Sequence, residues 1–378
     1  MIPYGRQYID DEDIRAVVEV LQSDWLTTGP KIEEFEKIFA DTVGAQFAVA
    51  VSSGTAALHA AMFALGVGSG DEVIVPPLTF AATANCIVYQ KGSPVFIDVS
   101  PDNLLIDFKK IEEKINTKTK AIIAVDYAGH PCEWDELRQI ADRHNIWLVA
   151  DACHALGAKY KNRLVGSLAD LNIFSFHPVK HITTGEGGMI TINNSELAER
   201  MRIFRNHGIT TDHRQREAQG SWYYEMAELG YNYRITDFQC ALGTSQLKKL
   251  PRWIDRRNEI ARKYDDAFRI SDRISPLKRA DHVTHAYHLY VVRLDLESIG
   301  KTRAQIFHEL RERGVGVNVH YVPVHLHPYY RDTFGTKLGD CPIAEAAYEH
   351  ILSLPMYPKL TDKDIEFVIE QIHEVIMR

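Results

Sequence analysis

The chain has no cysteine pair to build on. Its five cysteines, Cys86, Cys132, Cys153, Cys240 and Cys341, are odd in number and contain no Cys-x-x-Cys spacing. That excludes a disulfide framework and a zinc knuckle, and predicts a reduced, cytoplasmic chain. Positive charge is not in excess either. Lys and Arg number 43 against 51 Asp and Glu, a net charge of −8, the wrong sign for a nucleic-acid or anionic-membrane surface. No stretch is apolar enough for a bilayer. Residues 49–68 come nearest, but Ser52, Ser53, Thr55 and His59 break their first half, so a buried strand, turn and helix is the better reading. The opening Met-Ile-Pro-Tyr-Gly-Arg lacks a signal-peptide layout. Internal repeats, low-complexity tracts and long linkers are also missing.

What is present is a 378-residue chain with an alternating pattern. Helical apolar spacing marks Asp10–Leu21 and Glu33–Val43. Strands are predicted at Phe47–Val51, Glu72–Val75, Val95–Asp98, Ala121–Asp126 and Trp147–Asp151. Helices are predicted between them at Ala56–Leu65, Ala81–Tyr89, Phe108–Lys114 and Glu133–His144. Such alternation implies an α/β fold with a mostly parallel sheet covered by helices on both faces. Ligands of such sheets sit at the carboxyl ends of strands. Four segments fall there: Ser52–Thr55, Thr79–Phe80, Asp126–Tyr127 and Asp151–His154. A long charge-rich helix, Gln246–Phe268, interrupted early by Pro251, predicts the link from a large domain (1–248) to a smaller α+β domain (249–378). The smaller one is read as strand Tyr287–Leu294, helix Thr302–Arg313, strand Val315–His320 and closing helix Asp362–Met377.

The most informative stretch is Phe174-Ser-Phe-His-Pro-Val-Lys180-His-Ile-Thr-Thr-Gly-Glu-Gly-Gly188. Apolar, β-prone runs flank it, so Lys180 is expected on a short loop between two strands. That is a poor place for a solubilising lysine and a good one for a lysine that must reach an aldehyde. Desolvation or nearby positive charge lowers a lysine's pKa and frees its amine for Schiff-base formation. His177 either contributes to that tuning or is a satisfied core histidine. Asp151 ends a buried strand and needs a partner; it is either an ion pair or helix cap, or the counter-charge of a protonated ring nitrogen. Ser52-Ser-Gly-Thr55, between strand and helix, is either an ordinary turn or a phosphate cradle, to which Ser175 can add a hydroxyl. Phe80 is core, or stacks on a flat ring. The group His320, His325 and His327 lacks the helical spacing and carboxylate of a metal site, so no metal is expected. Gly185, Gly187 and Gly188 precede a strand, unlike a dinucleotide fingerprint, which opens a helix.

In this order the segments resemble the fold-type I, pyridoxal-phosphate-dependent sugar aminotransferases of the DegT/DnrJ/EryC1/StrS group. The likeness runs from Leu26-Thr-Thr-Gly-Pro30 through Ser52-Ser-Gly-Thr55, Pro77-Leu-Thr-Phe80-Ala-Ala-Thr-Ala-Asn85, Asp151-Ala-Cys-His-Ala-Leu-Gly157, the Lys180 segment, Arg205-Asn-His-Gly208 and Leu229-Gly-Tyr-Asn-Tyr-Arg-Ile-Thr-Asp237 to Val319-His-Tyr321. It implies that Lys180 is the Schiff-base lysine and proton shuttle, and that Asp151 pairs with the pyridine nitrogen. It further implies that His154 and Phe80 flank the ring, that Gly54, Thr55 and Ser175 hold the phosphate, and that Asn232 reaches the phosphate of the other subunit of a homodimer. Tyr4, Asp24, Trp25, Leu26, Thr27, Asn318, Val319, His320 and Tyr321 match positions of the nucleotide-sugar pocket. Within the group, Ala124-Val-Asp-Tyr-Ala-Gly129 and Ser245-Gln-Leu-Lys-Lys249 look most like the PseC-type subgroup of pseudaminic acid synthesis. That implies transfer from L-glutamate to C4 of a UDP-linked 4-keto-6-deoxy-N-acetylhexosamine. Three rivals stand beside this reading. A dehydratase relative would carry histidine in place of Lys180, and a non-catalytic sensor would not need Lys180, Asp151 and Ser175 together. An ordinary amino-acid aminotransferase would want a small-domain arginine, with Arg293, Arg303, Arg311 and Arg313 as candidates by location.

Overall fold

The structure is a computed structural model and describes residues 1–211, 213–218 and 220–377. The main sheet begins with β1 (Phe47–Val51), β2 (Glu72–Val75), β3 (Ser93–Phe96), β4 (Thr119–Val125) and β5 (Trp147–Asp151). After a short excursion through β6 (Lys159–Tyr160) and β7 (Arg163–Leu164), the chain returns as β8 (Leu171–Ser175) and β9 (Gly188–Ile192). The seven strands lie in the order β1-β9-β8-β5-β4-β2-β3. Only β9 runs against the rest, antiparallel to both β1 and β8. Nearly every residue in β1, β4, β8 and β9 is buried, which is why they read as apolar runs rather than alternations.

Alternate residues of one strand feed opposite cores. Ile122, Ala124, Leu148 and Ala150 face the helices Pro30–Val43 and Trp134–His144 through Phe35, Phe39 and Leu137. Ala121, Ile123 and Val149 face Gly54–Ala64 and Ala82–Tyr89 through Leu58, Met62 and Ile87. This is the period-two geometry of a strand covered on both sides. A third core, around Ile260, Tyr264, Val292, Leu352 and Ile372, belongs to the C-terminal part. There β10 (Ile274–Pro276), β12 (Tyr290–Leu294) and β13 (Ile351–Leu354) pair, while β11 (Val283–Thr284) joins β6 and β7. Among the described residues no helix is long and apolar enough to cross a membrane.

Several sequence expectations need correction. Phe108–Lys114 is not a helix but a 3-10 turn over Phe108–Lys110. Phe108 and Ile111 stand three apart, a spacing that a 3-10 turn satisfies as well as an α-helix. Gln246–Phe268 is two helices, Asp237–Leu247 and Leu250–Phe268, and Pro251 lies in the first turn of the second, where its missing N–H costs nothing. Val315–His320 forms no strand. It touches Ile2 and Ser353 through isolated bridges only, with Ile2 laid alongside: its N–H donates to Gly314 O, its carbonyl accepts the Gly316 N–H, and a Cβ on Gly316 would lie 2.7 Å from that carbonyl. Strand β12 starts at Tyr290, not Tyr287, since Tyr287 adopts φ +47°. The helix expected from Glu33 starts at Pro30, because the buried Asp237 carboxylate accepts the N–H groups of Gly29 (2.8 Å) and Lys31 (2.9 Å).

Candidate active site

The carboxyl ends of β1, β2, β4, β5 and β8 open on one edge of the sheet, where a cavity of about 380 Å³ lies. Lys180 sits on the 12-residue connection between Ser175 and Gly188 (residues 176–187). Hydroxyls and amides stiffen this loop. Thr183 Oγ1 donates to Phe176 O (2.9 Å), Thr184 Oγ1 to Glu186 O (2.7 Å), and Gln239 Nε2 to the same Glu186 carbonyl (2.7 Å). Gly188 is required sterically: a Cβ there would stand 2.4 Å from Ser53 O.

Asp151 is 5% exposed. Its Oδ2 accepts from Thr83 Oγ1 at 2.7 Å, and Thr83 Oγ1 lies 2.7 Å from Thr79 Oγ1. Its Oδ1 accepts from the Cys153 N–H at 3.2 Å. Among the described ion pairs none involves Asp151; its carboxylate lines the cavity and acts on the Lys180 amine only at a distance. At the start of the helix Gly54–Ala64, the Ser53 side chain takes the Ala56 N–H at 3.0 Å. The N–H groups of Gly54 and Thr55 come next to the cavity wall, beside Ser175, whose Cβ would lie 2.9 Å from a Cβ on Gly54.

Four histidines surround the amine. Lys180 Nζ is 3.4 Å from His288 Nε2. The His288 and His154 rings have centroids 4.3 Å apart, and His154 Nε2 is 3.1 Å from Tyr321 Oη. His320 Nδ1 meets Ser353 Oγ at 2.9 Å, and His181 Nε2 meets Ala286 O at 3.1 Å. Burial first, then the neighbouring Lys180, keeps His154 and His288 well below the usual imidazole pKa and His320 down at about 3. Burial lowers the Lys180 pKa too, against the opposing pull of Cys153 and Asp151. The site therefore holds neutral imidazoles around an amine that gives up its proton more readily than a free lysine.

Of the residues singled out from sequence, Tyr4, Gly54, Thr55, Phe80, Asp151, His154, Ser175, Lys180, His320 and Tyr321 line this one cavity. Phe80 is 61% exposed at its mouth, 6.2 Å from the Tyr321 ring. Asp24, Trp25, Leu26, Thr27, Asn318, Val319 and Asn232 are not in its wall. Leu26 O accepts the Asp237 N–H, and Thr27 bridges to Thr236. Asn318 bridges to Ser353, Val319 packs on two cores, and Asn232 bridges to Asn206 on an exposed edge. His325 is buried against Glu345 at 2.8 Å, away from His320. Asp126 is buried behind the wall. Tyr127 donates its hydroxyl to the His320 carbonyl. Thr83 and His288 were not anticipated. Thr83 lies within the segment Pro77–Asn85 that carries the resemblance but has no role read from it, and His288 has no local signal and is 108 residues from the lysine it touches.

The sequence pattern of the DegT/DnrJ/EryC1/StrS aminotransferase family matches residues 7–373. The chain belongs to this family. It is 43% identical over 378 residues to the spore coat polysaccharide biosynthesis protein SpsC of Bacillus subtilis, covering 99% of this chain and 97% of SpsC. Spr1654 from Streptococcus pneumoniae, in its PMP form, superposes with a TM-score of 0.94 at 34% identity over 100% of this chain and 99% of its own; a PLP form is also known. Helicobacter pylori PseC, an aminotransferase involved in the biosynthesis of pseudoaminic acid, gives a TM-score of 0.93 at 32% identity, over 100% and 99% of the two chains. PseC is thus one of several comparable neighbours, and the subgroup expected from sequence is not singled out.

As a family member the protein is a pyridoxal-phosphate-dependent sugar aminotransferase with the fold-type I architecture. Its own residues fit that cofactor. One cavity combines a helix N-terminus suited to a phosphate, a carboxylate outside the described ion pairs, an amine whose basicity burial lowers, and a buried His154 Nδ1 with no protein partner.

Proposed function

We propose that the enzyme moves an amino group from L-glutamate to C4 of a nucleotide-linked 4-keto-6-deoxy sugar. The first substrate to try is UDP-2-acetamido-2,6-dideoxy-β-L-arabino-hexos-4-ulose of pseudaminic acid biosynthesis. The carrying observation is the cavity around Lys180, whose lining is rich in hydroxyls and imidazoles and whose charged groups besides Lys180 are the carboxylates Asp151 and Glu186. No arginine is among its lining residues. The four small-domain candidates are engaged elsewhere: Arg293 with Pro101 O, Arg303 over the Tyr348 ring, Arg311 over Phe307, and Arg313 with Glu374. An amino-acid aminotransferase anchored on a small-domain guanidinium is disfavoured. Tyr4, His320 and Tyr321 instead offer neutral hydrogen-bonding groups of the kind a sugar needs.

When bound, pyridoxal phosphate supplies the aldehyde that carries the amino group and the ring that takes up the electron pair. The protein's part is binding, orientation and proton movement. Asp151 keeps a proton on the ring nitrogen through its negative charge, while Gly54, Thr55 and Ser175 seat the phosphate. His154 and Phe80 bound the ring. Lys180 Nζ takes the proton from the donor's α-carbon and later delivers one to the sugar carbon that receives the amine, acting as base and then as acid. Its depressed basicity suits both tasks.

A second copy of the chain completes the site in this reading, with Asn232 reaching across. The support is an exposed apolar strip on the Asn232 segment: Trp222 is 85% exposed, Leu229 74% and Met226 64%. Such a strip on a lone chain marks an interaction surface.

The test uses purified enzyme, L-[15N]glutamate and a panel of UDP- and dTDP-linked 4-keto and 3-keto sugars, read by mass spectrometry. Label should appear in the UDP-linked 4-amino product. Label confined to another sugar corrects the substrate, and label in an amino acid alone sinks the sugar reading. Lys180→Ala should lose both transfer and the visible absorbance of bound cofactor. Mixed Lys180→Ala and Asn232→Ala subunits should recover activity if sites are shared; stable heterodimers without recovery would count against it.

A further inference from the structure

His288 reaches the site from the C-terminal part of the chain, on the segment 285–289 that precedes β12. This segment is gripped on its carbonyls by side chains from two directions. Asn258 Nδ2 donates to His285 O at 3.0 Å, His181 Nε2 to Ala286 O at 3.1 Å, and Arg257 to Tyr287 O at 2.8 Å. Arg257 also donates to Met356 O at 3.0 Å, tying the segment to the chain beyond β13. Its guanidinium is 1% exposed. A charge that deeply buried is tolerated only where carbonyl dipoles surround it. On the other side, the Ala286 and Leu289 N–H groups bond to Gly129 O (2.9 Å) and Ala128 O (3.1 Å). The close approach needs glycine: a Cβ on Gly129 would lie 2.8 Å from the Tyr287 nitrogen, and Gly129 adopts φ +103°.

A segment of five residues held at both donors and acceptors has little freedom. Its one side chain aimed at the amine is His288, with Nε2 3.4 Å from Lys180 Nζ and Nδ1 buried without a partner. An unpaired buried ring nitrogen is expensive. A fold that keeps one on so firmly braced a backbone is using the other nitrogen. The lysine amine has an N–H to give in either protonation state, and Nε2 of a neutral imidazole can accept it.

We propose that His288 is a positioning residue for Lys180. It receives the amine whenever that amine is not joined to the cofactor, and so keeps the proton carrier within the site between the two half-reactions. Arg257, His181 and Asn258 act through it, which gives His181 a bracing role. The proposal rests on Lys180 being the amine that joins pyridoxal phosphate.

The experiment follows growth of the visible band when pyridoxal phosphate is added to the full chain stripped of cofactor. It is joined by single-turnover kinetics with L-glutamate. His288→Ala should reach the wild-type final absorbance, but with a rate lower by on the order of a hundredfold, the size of effect a misplaced reacting group produces. The glutamate half-reaction should slow similarly, with its half-saturating glutamate concentration unchanged. His288→Gln, which keeps a polar tip, should recover most of both rates. Wild-type rates in folded His288→Ala would overturn the proposal. If that variant does not fold, His288→Gln and His288→Leu carry the test: a faster Gln variant supports positioning, and equal rates refute it. A wild type that never colours fails the cofactor reading itself, and is recognised because no variant is involved.

Discussion

Asp126 and Asp151 end neighbouring parallel strands, and their surroundings diverge. In the β4–β5 register Val125 pairs with Asp151, so Asp126 lies one residue further on. Successive residues of a strand point to opposite faces. Val125 and Asp151 both line the cavity, whereas Asp126 turns into the protein, where one oxygen takes the Cys132 N–H (2.8 Å) and the other has no partner. Burial pushes the Asp126 pKa up to about 8. One step of register separates a carboxylate presented to the cavity from one that its own burial keeps largely protonated.

The sharpest way to break the contrast is to neutralise each in turn. Asp151→Asn should cut transfer by about a hundredfold or more, as loss of a preorganised electrostatic partner does, while thermal unfolding changes little. Next in size, Thr83→Val removes the hydroxyl donated to Asp151. A hydrogen bond to a charged group contributes about 1.5–3 kcal/mol, so cofactor titration should show at least tenfold weaker binding, roughly. Asp126→Asn should leave transfer within about threefold of wild type, because Asp126 is outside the cavity lining and the neutral amide is close in shape and hydrogen bonding to the protonated carboxyl. Its effect belongs to stability. A carboxyl whose folded pKa is raised favours the fold below its unfolded pKa of 3.8 and loses that advantage as pH rises through about 8. Wild type should therefore lose stability over that window, read as a falling melting temperature, and the Asn variant should lose less. Equal slopes would remove the distinction between the two aspartates.

That distinction marks where the sequence stops being readable. Both aspartates follow apolar runs, so both were flagged as strand-end candidates, and nothing local says which way each points. The strands themselves were legible: Phe47–Val51, Glu72–Val75 and Trp147–Asp151 match their predicted limits, since burial on both faces writes itself as an apolar run. The lysine loop was legible for the same reason, being bracketed by two such runs. The C-terminal part was less so. Ile351–Leu354 is a strand only because β12 lies beside it, and Val315–His320 is not one because it makes only isolated bridges to Ile2 and Ser353. Thr83 and His288 depend on tertiary placement alone. The Lys180, Asp151 and Ser53–Thr55 segments announced a chemistry, while the groups that steady them came from elsewhere in the chain.

Gly188 carries a last consequence. It pairs across the sheet with Val51 on one side and with Ser175 on the other. The ends of the two flanking strands are therefore two strand widths apart, about 10 Å, with this single residue between them, and the turn after β1 folds over it until Gly54 comes against Ser175. Gly188 has no side chain to swell or tilt. The narrow end of the seat is gauged by bare backbone, so its dimension is fixed before any ligand arrives. Tyr4, His320 and Tyr321 come to the same cavity from other segments of the chain, so a change at any of them leaves this gauge as it is.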